Sequence, residues 1–232
     1  MSIRIQIISK RLEYTMLEVV FHLAAPLTET EPSFTFIQRI EGEIRDDESK
    51  VVIGQISASL VQVGRVVGAG ENLFEVMDGL SREMAEYHAA FFEPDDWDYK
   101  KAIRRQFPYI LSLDLLILER AEIEPRFRKR GLGLLAVSRT IDLFGVNCGL
   151  VAMKPFPLQF RNYLDSGWRP PDGLQDPAAA FQIARRKLRQ YWSRVGFKRV
   201  NGTDYYALCP VNDRPSLKKV AAAIDETFAA QD

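Results

Sequence analysis

The sequence predicts an α/β (α+β) chain on a mixed sheet. A β-branched hairpin pattern occupies its first half, and strands alternate with amphipathic helices through its second half. A third observation sets the scale: 232 residues, 47% of them hydrophobic, suffice for one large domain whose core needs neither disulfides nor metals. The expectation is therefore a single domain over residues 1–232.

Residues 3–24 are mostly apolar with mixed periodicity, and strand and helix both remain open there. Pro26 and Pro32 mark residues 25–33 as loop. The hairpin follows: 34–44 (FTFIQRIEGEI) and 51–63 (VVIGQISASLVQV) read as strands joined by the polar turn 45–50, with Gly54 marking a bulge. Leu73, Phe74, Val76, Met77, Leu80, Met84 and Tyr87 keep a helical spacing and predict a helix over 71–92. Residues 93–107 read as a connecting excursion, and 110–123 as a long apolar strand. After a polar loop at 124–130 come a helix at 131–144, a strand at 150–154, and a rigid break at 154–158 (KPFPL). Residues 159–177 look irregular. A basic amphipathic helix at 178–195 stops at Gly196, a last strand at 197–208 is split by Asn201-Gly202, and a helix at 216–230 closes the chain.

Composition excludes some partners. With 31 basic and 31 acidic residues, no net charge draws the chain to nucleic acid or an anionic membrane. No run of 18 uncharged apolar residues occurs, and the opening MSIRI is unlike a signal peptide, so a cytoplasmic protein is expected. Cys148 and Cys209 form no CxxC pair and read as buried free thiols of a reducing compartment. His22 and His88 read as structural or surface residues, Tyr205 and Tyr206 as sheet packing, and no metal-ligand spacing appears.

The informative segment is 123–133 (IEPRFRKRGLG). A strand ends, a basic loop turns, and a helix starts at the glycines. The first N–H groups of a helix lack intrahelical acceptors and carry the positive end of its dipole, which together favour an anion. Gly131 and Gly133 have no Cβ to hold a diphosphate off the backbone, and Arg128, Lys129 and Arg130 add positive charge. Read alone, the basic triplet is a solvated turn at a helix start. A dinucleotide fingerprint needs its first glycine at the strand end, whereas seven residues, 124–130, intervene here. No GxxxxGK is present.

Ile123, Pro125, Phe127, Arg128, Gly131 and Gly133 fill the places of the signature that opens the cofactor site of the GNAT acetyltransferase superfamily, and the segment resembles it closely. A second stretch, 191–197 (YWSRVGF), resembles that family's helix-to-strand signature, an aromatic residue four places before Gly-Phe. Together they cover residues 110–208. The resemblance implies a mostly antiparallel sheet with splayed central strands, an extra helix at 71–92, and an acyl-CoA core at 110–208. It implies acetyl-CoA as cosubstrate, its pantetheine paired along Glu122 and Ile123 and its diphosphate on the amides of Arg130, Gly131, Leu132, Gly133 and Leu134, beside Arg128 and Lys129. The partner is an amine acceptor of unspecified type, attacking the thioester directly. A homodimer is among the assemblies left open.

Two catalytic roles follow from the resemblance. The base position, nine residues before Arg128, holds Glu119. Strand parity places it on one face with Ile117, Ala121 and Ile123. The acid position holds Trp192 where relatives carry tyrosine, and an indole cannot donate a proton; Trp192 is then a cofactor contact and the adjacent Tyr191 the candidate acid. The cluster Arg185, Arg186, Lys187 and Arg189 reads as a solvated helix face or as a contact for the 3′-phosphate of CoA.

Overall fold

The computed structural model describes residues 2–5, 17–23, 31–94, 96–160, 176–212 and 214–229. The expectations for 6–16, 24–30 and 161–175 fall outside them. Eight strands form one sheet in the order β1 (Ser2–Ile5), β2 (Leu17–Leu23), β3 (Ile37–Asp46), β4 (Val52–Val61), β5 (Leu115–Ile123), β6 (Leu150–Met153), β8 (Tyr206–Leu208), β7 (Lys198–Arg199). β5 and β6 run parallel, and every other neighbouring pair is antiparallel.

Alternation along the strands supplies a core to each face. Leu116, Leu118, Val151, Met153, Tyr206 and Leu208 point to one face, where they meet α6 (Leu132–Thr140), the C-terminal end of α7 (Pro177–Ser193) and α8 (Leu217–Ala229). Leu115, Ile117, Leu150, Ala152 and Ala207 point to the other, beneath α1 (Pro32–Phe36), α2 (Val63–Ala69), α3 (Leu73–Asp78), α4 (Arg82–Phe91) and α5 (Lys101–Gln106). The helices bury apolar residues against the sheet in this way, α7 only at its C-terminal end, through Trp192.

Several expected elements are cut differently. The hairpin forms with a register shift beside Gly54, but Phe34 and Phe36 belong to the short α1 rather than to β3. The single helix expected at 71–92 is two. The apolar spacing continues through the break, but Asn72 caps α3 and Ser81 caps α4, its hydroxyl accepting from Met84 N at 3.2 Å. The excursion at 93–107 contains α5, held by Tyr99, whose ring stacks on Phe92 and whose hydroxyl donates to Asp114 O at 3.1 Å. The last strand is a small hairpin, β7 and β8, turning at Gly202 with φ +74°. Cys148 and Cys209 are free and buried. Among the described residues no helix is long and apolar enough to cross a membrane.

Candidate functional site

β5 and β6 pair from Leu115–Leu150 to Leu118–Met153 and then part. Two features of the sequence part them. Pro155 and Pro157 carry no N–H for a ladder, so the chain after Met153 cannot continue as a paired strand. On β5, Leu118 faces Ala58 and Arg120 faces Ser57, which leaves Glu119 as the extra residue of a β-bulge. β5 runs on to Ile123 against β4 alone, so among the described residues its other edge carries no strand from Glu119 onward.

That edge walls a cleft of about 1200 Å³. It is lined by residues 119–123 of β5, by Ala180, Ile183, Ala184, Lys187, Leu188 and Tyr191 of α7, and by Met153, Phe156 and Phe160. The turn into α6 lines the same space through Arg128, Lys129, Gly131, Leu132 and Gly133, together with Trp192. Strand edge, basic turn and helix start thus share one cavity.

The turn is tightly formed. Pro125–Phe127 makes a single 3₁₀ turn, and Phe127 lies under the guanidinium groups of Arg126 and Arg130, 4.8 and 5.7 Å from its centroid. Lys129 is left-handed at φ 63°, a conformation costing a non-glycine residue roughly 1–2 kcal/mol, and Gly131 follows at φ 72°. Arg128 Nε donates to Ile123 O at 2.7 Å, bending the guanidinium back onto the strand end.

The glycines are spent differently from the expectation that a diphosphate needs their missing Cβ atoms. A Cβ on Gly131 would meet Ile224 Cδ1 of α8 at 2.6 Å, and one on Gly133 would meet Tyr191 Oη at 2.9 Å. The chain itself fills both spaces. The Leu134 N–H donates to Tyr191 Oη at 3.1 Å, with Gly131 O also at 3.0 Å. The Tyr191 phenol, pushed by burial to about 12, thus serves the first turn of α6. Trp192, 7% exposed, packs in the core beneath it, their rings edge-to-face at 4.8 Å.

Glu119 sits at the other end of the open edge. Because the bulge adds a residue, parity fails there: Ile117 faces the second core, whereas Ala121 and Ile123 pack on the first. Glu119 lies on the exposed part of the Ile117 side, and Ser59 Oγ of β4, with 0% exposure, donates to its Oε1 at 2.5 Å. Glu41 of β3 and Glu83 of α4 are both held above the usual carboxylate range, by burial first and by the charge of Glu119 second. Glu122 pairs with Arg120.

Sequence reasoning missed Ser59, Glu41 and Glu83. Ser59 gave one faint signal, a small hydroxyl within a β-branched strand. Of the basic α7 cluster, Arg185 and Arg189 both bind Asp204, at 2.6 and 3.0 Å, which leaves Lys187 as the member lining the cleft. His88 is buried between Phe74 and Phe92, away from the cleft. The chain matches no protein-family model, no curated protein and no solved structure.

Proposed function

We propose that the chain is an acetyl-CoA-dependent N-acyltransferase of the GNAT type. The observation that carries this reading is the parting of β5 from β6 after Leu118 and Met153, which opens five residues of strand edge into a cleft that a basic helix start also lines. An unpaired strand edge offers N–H and C=O groups to an extended, amide-bearing chain, and a helix start offers N–H groups and positive charge to an anion. Pantetheine and diphosphate are such a pair, in that order along one molecule. The Leu132 and Gly133 amides, with Arg128, Lys129 and Lys187 nearby, are the groups for the diphosphate; Leu134 N becomes available once the Tyr191 hydroxyl withdraws.

In the reaction, Glu119 takes a proton from the acceptor's ammonium. The freed amine nitrogen bonds to the thioester carbon, the C–S bond breaks, and CoA leaves as a thiolate that takes up the second proton shed by that nitrogen to become the thiol, while Glu119 returns the first proton to solvent. Tyr191, tied to α6, is not needed as acid, because a thiolate leaves without one. The test is acetyl-CoA-dependent stabilisation of the protein, followed by CoA release with a panel of primary amines. Glu119→Gln should retain the stabilisation and lose at least about a hundredfold in release, the usual scale of general-base catalysis. Full activity in Glu119→Gln removes the base, and no binding of acetyl-CoA removes the reading.

One observation favours a second reading, an acyl-CoA-binding module without turnover: the acid position holds a buried Trp192, and the neighbouring phenol is already engaged. Stabilisation by acetyl-CoA with no amine turned over would establish it instead.

A further inference from the structure

We infer that Ser59 is the positioning residue of the proposed acyl transfer, holding the Glu119 carboxylate toward the acceptor amine. The inference rests on the base role of Glu119. Ser59 is wholly buried, and a buried hydroxyl without a partner is destabilising. Its partner is a carboxylate sixty residues further along the chain, and the 2.5 Å separation lies at the short end of the range for a hydroxyl donating to a charged oxygen.

The bulge makes this contact. In register, Ser59 lies opposite Ile117, two residues before Glu119. Glu119, having no partner of its own on β4, occupies the extra position and turns its side chain back across the ladder to Ser59. The bond engages Oε1 and leaves Oε2 outside it, the relation between a base and the group that orients it.

The charges around the pair make orientation matter. Glu41 and Arg39 face it from β3, Arg120 from β5, and Glu83 and the buried Tyr87 from α4, with Lys154, Glu86 and Tyr205 in the next rank. Glu41 and Glu83 repel the Glu119 carboxylate, and Arg120 pairs with Glu122. Among the described residues, the Ser59 hydroxyl is the group that hydrogen-bonds the carboxylate.

The experiment compares the full chain with Ser59→Ala, Ser59→Thr and Glu119→Gln. Acetyl-CoA is the donor, and putrescine, a tripeptide with a free N-terminus and a lysine-containing peptide are the acceptors. Ser59→Ala should lower kcat by about tenfold, the equivalent of one charge-assisted hydrogen bond, and leave the KM for acetyl-CoA unchanged. Ser59→Thr, which keeps the hydroxyl, should restore kcat. A merely structural role would lower the melting temperature and leave kcat of the folded protein unchanged. Ser59→Ala as fast as the natural chain at every pH, beside an inactive Glu119→Gln, overturns the inference and leaves the transferase reading standing; so does a Ser59→Thr variant as impaired as Ser59→Ala. A natural chain that turns over none of the three amines overturns both.

Discussion

Replacing Tyr191 by phenylalanine separates the two claims made on the start of α6. The ring stays, so the space over Gly133 stays filled; only the hydroxyl that accepts from Leu134 N is lost. One neutral hydrogen bond is worth about 1 kcal/mol, and the second acceptor of that amide, Gly131 O, keeps it from being orphaned. The free protein should therefore melt about 2–4 °C lower by calorimetry. If the diphosphate competes with the hydroxyl for Leu134 N, the same 1 kcal/mol returns on binding, and titration calorimetry should show CoA bound about fivefold more tightly by the variant. Burial keeps the phenol protonated up to about 12, so the ratio of the two affinities should be flat from pH 6 to 9. Weaker binding by Tyr191→Phe would refute this reasoning, since it would mean that the hydroxyl rotates to donate to the ligand. Equal binding would refute it too, because the diphosphate would then leave Leu134 N untouched.

Two more perturbations test the scaffold. Gly131→Ala places a methyl group against Ile224 at a left-handed position and should cost about 2–4 kcal/mol in urea unfolding at unchanged slope, from backbone strain plus overpacking; a loss under 1 kcal/mol would show that α8 is not seated on the turn. His88 is held below the usual histidine value, by burial first and Lys100 second. Its neutral form stabilises the fold above the unfolded value of about 6.5, and that stability is lost as pH falls through its depressed folded value. His88→Phe, which keeps a ring between Phe74 and Phe92, should flatten the decline in unfolding free energy on going from pH 7 toward 5; an unchanged slope places the titrating group elsewhere.

What could be read in the sequence was what depends on near neighbours. The turn into α6 announced itself because its glycines, prolines and basic residues are local signals. The break at 154–158 was equally plain from its prolines, though its consequence, an unpaired edge on β5, required knowing that β6 lies beside that strand. The apolar spacing runs unbroken across 71–92 and so hid the caps Asn72 and Ser81, which divide the segment into α3 and α4. Parity at Glu119 could not have been read at all. A bulge is a relation between two strands, and the residue that reveals it, Ser57, lies more than fifty positions upstream on β4. The hold of Tyr191 on Leu134, across 57 residues, is of the same kind.

These long-range contacts move the weight of the functional argument. The sequence placed it on two glycines, as if their missing side chains made room for a diphosphate. Ile224 and Tyr191 occupy that room, so the glycines are explained by helix packing whether or not the protein ever meets CoA. Their presence cannot discriminate a transferase from a domain that merely docks α7 and α8 onto α6. The proposed reading rests instead on the parting strands. Among the described residues, five positions of a central strand have no neighbour on one side; a sheet gains no stability from that, and the cost of unpaired backbone groups is ordinarily avoided by extending the ladder or covering the edge. Here the ladder stops between buried residues, at a bulge on one strand and prolines on the other, and the bulge is what delivers a carboxylate to the gap. The ligand-binding case therefore stands on the edge of β5 and on the Ser59–Glu119 pair at its mouth, and the glycine turn supports it only through its charge and its remaining amides.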